Sequence, residues 1–174
     1  MREYFKKRYF AIGVIPLLLM LAIGCSKKEN VNISVKELAN SITDKLIKDA
    51  KIGSKDELNW NEVDLLTDNA SPILEKIDVD GSALEEGVLL EDSVASSANR
   101  ILILKVKKEK DVHKVKKTLD KLRKNQEKSY KDGVKEEYTK VKDGLVAVRD
   151  NYIYYFVYDD VASLKKIVDD TLVK

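Results

Sequence analysis

RILILKVK at residues 100–107 runs into KEKDVHKVKKTLDKLRKNQEKSY at 108–130, and the reading of this junction decides the fold. The first stretch is aliphatic and β-branched at odd and even positions alike. A strand that is apolar on both sides is buried on both sides, so residues 100–107 are expected to lie in the interior of a sheet. In the second stretch Val112, Val115, Leu119, Leu122 and Tyr130 recur at helical spacing and lysines fill the remaining positions. That pattern predicts an amphipathic helix over about 111–130, stopped at Gly133. The same order returns downstream. GLVAVR (144–149) and YIYYFVY (152–158) read as two strands joined by Asp150-Asn151, a pair that tolerates the positive φ of a tight hairpin. Asp159 or Asp160 then caps a last helix, whose apolar positions are Val161, Leu164, Ile167, Val168 and Leu172.

Upstream, Ser34 is a candidate N-cap with Glu37 three residues on, the capping-box spacing. Val35, Leu38, Ala39, Ile42, Leu46 and Ile47 follow at helical intervals, and Gly53 lies past the end. Between 56 and 93 the signals are local. Leu58, Val63, Leu65 and Leu66 suggest a short helix, Pro72 begins or interrupts the next segment, and Asp78–Ser82 reads as a turn. Gly87–Leu90 has strand character, and Ser93–Asn99 is a loop. The whole predicts an α+β domain, an N-terminal helix followed by ββα-ββα, with the helices packed on one face of a largely antiparallel sheet of about four strands.

The first 25 residues have a different character. Arg2, Lys6, Lys7 and Arg8 precede an apolar run from Phe10 to Ile23, broken only by Gly13 and Pro16, and Leu21-Ala22-Ile23-Gly24 leads to Cys25, the single cysteine of the chain. This is the layout of a secretory signal peptide. With cysteine at the first mature position it resembles the bacterial lipobox. That resemblance implies cleavage after Gly24, a thioether-linked diacylglycerol and further acyl chains such as palmitate on Cys25, and a protein held at the extracytoplasmic face of the cell membrane. The run is shorter than the roughly 20 residues that span a bilayer and contains a proline, which argues against a retained transmembrane helix. A lone free thiol would be unusual in an exported protein, and lipidation removes that difficulty. Two acyl chains give stable anchoring where one is marginal. The expected organisation is a signal peptide over 1–24, a polar tether over 25–32 and a single α+β domain over 33–174.

About 150 residues then remain, enough for one domain with a real core and no disulfide. The formal charge of the whole chain is +2; the first 24 residues carry +3, which leaves the rest near −1. No nucleic-acid footprint follows from that balance. Charge is uneven, however. Acids outnumber bases from Glu29 to Asp92, and lysines dominate from Lys105 to Lys142. The basic stretch reads either as a face attracted to membrane lipid or anionic wall polymer, or as a solvated helix paired with the acidic half, and the second reading is favoured.

SSANRILILKVKKEKDVHKVKKTLDKLRKNQE (96–127) and DNYIYYFVYDDVASLKKIV (150–168), behind a lipobox and an amphipathic helix, resemble the small bacterial lipoproteins of domain-of-unknown-function family 4358, seen mainly in Gram-positive Firmicutes. The resemblance covers nearly all of residues 25–174, and the segment between Asn59 and Ser93 departs most from the pattern. Its motifs are strands and helix faces, so it implies a fold and carries no activity or catalytic residue.

Direct search for chemistry leaves little. His113, the only histidine, sits among lysines with no nucleophile or orienting carboxylate nominated beside it. A zinc site needs several histidine or cysteine ligands, so no metal is expected. Asp78-Val79-Asp80-Gly81 with Glu85 and Glu86 resembles a calcium loop but lacks its third acidic ligand and its closing glutamate. No phosphate loop, nucleophile elbow or metalloprotease motif occurs. No catalytic residue and no cofactor is therefore expected. Alternation along 152–158 puts Tyr152, Tyr154, Phe156 and Tyr158 on one face, a possible binding surface for a peptide, a sugar or a partner, or a packing surface. Trp60 reads as the edge of the core. The expectation is a non-catalytic binding or accessory module of the cell envelope, with an envelope protein or anionic wall polymer as partner and the membrane reached through Cys25. The alternative is an enzyme acting on envelope polymers with a pair of carboxylates.

Overall fold

Five α-helices and five β-strands follow one another in the computed structural model, which describes residues 32–173. They are α1 (Val35–Ala50), β1 (Trp60–Asp64), α2 (Ser71–Lys76), β2 (Leu84–Asp92), β3 (Arg100–Val106), α3 (Glu109–Tyr130), α4 (Lys135–Lys142), β4 (Leu145–Arg149), β5 (Tyr152–Val157) and α5 (Val161–Thr171). The described residues fall in one compact unit, Val31–Lys174. The expected signal peptide over 1–24, Cys25 and all of the tether except Asn32 lie outside them.

The strands form one antiparallel sheet in the order β1-β2-β3-β5-β4. β3 is the middle strand of five, where a segment apolar on both sides belongs. Leu102, Leu104 and Val106 face one way into a core covered by α3 and α4. Ile101 and Ile103 face the other way into a second core beneath α1 and α5. The helices therefore cover both faces rather than the single face predicted, and the sheet has five strands rather than four. The ββα unit does occur twice, as β2-β3-α3 and β4-β5-α5, with α4 inserted between the copies and β1 and α2 ahead of them. The expected helix around Leu58–Leu66 is in fact the edge strand β1. Its inward Val63 alternates with Trp60 and Glu62 on the opposite face, a period of two that five residues barely reveal.

Local chemistry sets the element ends. Ser34 Oγ accepts from the Glu37 amide and starts α1; Lys51, in the left-handed region at φ 55, ends it. Asp160 accepts from the Ser163 amide and starts α5. Asp150 takes φ 52 in the β4–β5 turn. Pro72 sits in the first turn of α2, where its missing N–H costs nothing.

A bulge between Leu84 and Glu86 sets two residues of β2 opposite the end of β3 and turns Glu85 and Glu86 toward Lys105. Lys105 is only 3% exposed. Its ammonium donates to Glu85 at 2.9 Å, Glu86 at 3.3 Å and Asn32 Oδ1 at 2.6 Å, and lies 5.6 Å from the Tyr152 ring centre. Burial pulls the Lys105 pKa down, but the two glutamates more than reverse it and the net shift is upward. Glu86 also accepts from the Val35 amide at 2.7 Å, and the Tyr152 hydroxyl donates to the Ile33 carbonyl. The first residues of the domain are thus fastened to β2, β3 and β5 together.

Candidate functional site

Alternation along β5 groups Tyr152, Tyr154, Phe156 and Tyr158 as the sequence predicts, but the first three are core. They lie buried under α1 and α5, Tyr154 stacked on Phe156 with centroids 5.0 Å apart. As a binding face they are withdrawn, because two helices remote in sequence already occupy them. Tyr158, past the strand end, is only partly covered. His113 is exposed on α3. Asp78 takes φ 60, and Asp80 caps the turn at Gly81–Ala83 by accepting from the Ser82 amide; no group of three or more metal-ligating side chains converges among the described residues.

Tyr158 instead meets Trp60. Their rings touch edge to face, centroids 6.2 Å apart at 65°. Trp60 opens β1 and points to the same sheet face as Tyr158, so the pair forms a wall where the cover of α1 and α5 stops short. On one side of it is a recess of about 470 Å³ bounded by Leu46, Asp49, Leu58, Asp159 and Asp160. On the other is one of about 270 Å³ bounded by Thr43, Leu46, Asp56, Leu58, Glu62 and Leu90. Trp60, Leu46 and Leu58 line both, so the two recesses adjoin as one groove.

The groove has a defined electrostatic frame. Lys45 pairs with Asp49 at 2.9 Å and Asp160 at 3.4 Å, Lys55 pairs with Glu62, and Lys140 stands 4.0 Å from Asp159. The Tyr158 hydroxyl donates to Asp49 at 2.9 Å. The Lys45 hydrogen bond holds the Asp49 carboxyl below the ordinary range, helped by Tyr158 and against burial. Hydrogen bonds from Ser163, with Lys45 nearby, do the same for Asp160. Burial first, and then the Asp49 hydrogen bond, drive the Tyr158 phenol upward. Asp49 and Asp160 are thus tuned to stay ionised and accept hydrogen bonds, the opposite of the raised carboxyl that a general acid requires.

Thr43, 4% exposed, lines the smaller recess, and no buried side-chain polar atom among the described residues lacks a hydrogen-bond partner. Sequence reading placed Trp60 at a core edge and passed over Thr43, because the site joins α1, β1 and the end of β5. No local motif marks residues brought together from positions 43, 60 and 158.

The profile of a family described as a domain of unknown function, DUF4358, matches residues 67–158. The chain belongs to DUF4358. The match takes in β2 to β5 and includes residues 67–93, part of the segment expected to depart from the family pattern. No curated protein and no solved structure matches the chain. The DUF4358 match ends at Tyr158, one wall of the groove, and leaves Trp60 and Thr43 outside it.

Proposed function

We propose that this protein is a non-catalytic binding module of the cell envelope, anchored to the outer face of the membrane by a diacylated Cys25 after cleavage behind Gly24. Its binding site is the Trp60–Tyr158 groove. One observation carries the reading: an open aromatic wall is flanked by carboxylates fixed in ion pairs. Such a surface holds a ligand in place. The low pKa of Asp49 and Asp160 weighs against the alternative of a carboxylate enzyme. No helix among the described residues is long and apolar enough to cross a membrane, so the attachment rests on Cys25 and the lipobox-like stretch before it.

Cross-linking from intact membranes tests the module. An envelope component recovered with the wild-type protein and lost with Trp60→Ala supports the groove; recovery of bulk lipid alone overturns it. Cys25→Ala tests the anchor separately. The variant leaves the membrane fraction or stays there uncleaved. A variant that remains membrane-bound at mature size removes the lipid from the account.

A further inference from the structure

We infer that β4 is a docking edge for a second copy of this chain, which continues the sheet across a two-fold axis at Ala147. β4 pairs with β5 alone, and among the described residues no backbone hydrogen bond joins its other side to any element. The other edge of the sheet is guarded, because Asn61, Glu62 and Asp64 stand exposed on β1. β4 has no such guard. Leu145, Val146, Ala147 and Val148 are aliphatic and half-buried. Arg149, the one charge of the strand, is drawn toward α5 by Asp169 at 3.5 Å.

The strand is complementary to itself. The Val106 amide donates to the Asn151 carbonyl, so odd-numbered residues along β5 bond to β3 and even-numbered ones to β4. Tyr152, Tyr154 and Phe156 therefore bond to Arg149, Ala147 and Leu145, and the N–H and C=O groups of Val146 and Val148 point outward. With the axis at Ala147, Val146 of one copy meets Val148 of the other, and each such pair exchanges both of its hydrogen bonds. Between them Ala147 meets its own copy in a non-hydrogen-bonded pair, the closest approach in an antiparallel ladder, where a small side chain fits. The faces match as well. Val146 and Val148 lie on the α3/α4 side in both copies, and Leu145 and Ala147 on the α1/α5 side.

α3 supports the same contact. One flank of it turns toward β2, where Lys121 pairs with Asp78 and Lys114 lines a recess with Asp80 and Ser82. The other flank carries Lys116, Asp120, Arg123 and Glu127 as a half-buried stripe at helical spacing. Arg123 donates to the Lys142 carbonyl at 3.0 Å, which sets this flank beside the start of β4. The stripe alternates in sign, so an antiparallel copy brings cation against carboxylate along it, while Lys117, Lys124 and Lys128 stay exposed on the outer surface. A five-residue strand is small for a stable interface, and the helix flanks enlarge it. Trp60 opens β1 at the opposite edge, so the pairing leaves both grooves open.

Cysteine cross-linking tests the register. The full-length chain carries Cys25→Ala, so that an introduced thiol is its only one. Ala147→Cys, Val148→Cys and, on the other edge, Asn61→Cys are oxidised in parallel and resolved on a non-reducing gel. In the proposed pairing the two copies of residue 147 are about 4.5 Å apart at Cα, within disulfide reach, and those of residue 148 about 8 Å apart, beyond it. The expected result is a covalent dimer with Ala147→Cys and little or none with the other two. Val146→Pro removes an outward N–H and spares the bonds to β5, so adding it to Ala147→Cys abolishes the dimer. Asp120→Lys breaks the alternation on α3 away from the strand and lowers the yield about fivefold. Melting followed by circular dichroism confirms that each variant is folded. No dimer with a folded Ala147→Cys chain overturns the proposal. So do equal yields at residues 61, 147 and 148, or a yield indifferent to both Val146→Pro and Asp120→Lys.

Discussion

The two faces of the sheet are closed in different ways. One is covered by α3, a 22-residue helix, together with α4, which meet the sheet through Val115, Leu119 and Val141. The other is covered by α1 and α5, 16 and 11 residues long, set over three aromatic residues of β5. A long helix crosses its face and its lysines carry the outer surface. Two shorter helices leave an end uncovered, and there Trp60 and Tyr158 meet solvent. The face with more aromatic bulk is therefore also the face with the open site: tyrosines fill the space beneath the helices and bring hydroxyls that must find partners, at Ile33 for Tyr152 and Asp49 for Tyr158.

Alkaline titration gives the largest contrast between the faces. Burial raises the phenols of Tyr152, Tyr154 and Tyr158 on the α1/α5 face, but only that of Tyr155 on the other. A phenol raised in the folded state contributes its full stability below its unfolded pKa of about 10 and loses it as the pH climbs toward the folded value. Stability is therefore expected to fall steadily above about pH 10, followed by circular dichroism in urea. Tyr158→Phe and Tyr155→Phe should each flatten the decline. No alkaline decline at all would mean that these rings are not buried as described.

Next in size are Leu102→Ala and Ile103→Ala, neighbours on β3 that face opposite cores and are both fully buried. Each is expected to cost about 3 kcal/mol in chemical denaturation. A loss well under 1 kcal/mol for Ile103 alone would show the α1/α5 face to be loosely packed rather than a second core. Lys105→Met should cost about 2 kcal/mol, less than a fully enclosed pair, since Glu85 and Glu86 keep partial access to water once their partner is gone. Ser34→Ala, which removes the α1 cap, should cost about 1 kcal/mol and loosen the α1/α5 face without touching α3, as amide exchange would resolve.

Legibility in the sequence followed the range of the interactions. RILILKVK shows its central position because both parities are apolar, and α3 shows its length because five apolar residues keep one phase over five turns. β1 did not show itself: its burial pattern has a single inward aliphatic, and the nearby leucines mimic helical spacing. α4 was missed for a similar reason, with Val141 its only buried residue and too few turns to establish a period. Alternation on β5 grouped the right tyrosines yet could not say what covers them, since α1 lies about a hundred residues away. The groove was least legible of all. Its lining comes from α1, β1 and the residues after β5, and it exists only once these are side by side.

The fastening of Asn32, Ile33 and Val35 has a mechanical consequence. Tension arriving along the chain at Asn32 reaches Lys105 on β3, Tyr152 on β5 and Glu86 on β2 before it can act on the rest of α1. The pull is shared among three adjacent strands of the sheet, so α1 is not peeled away turn by turn from its first residue. The Trp60 groove borders the second half of that helix, from Thr43 to Ala50, and begins about 12 Å further on at 1.5 Å per residue. A tug at the N-terminal side is thus absorbed about two helical turns before the groove, whose shape can persist while the domain is under strain.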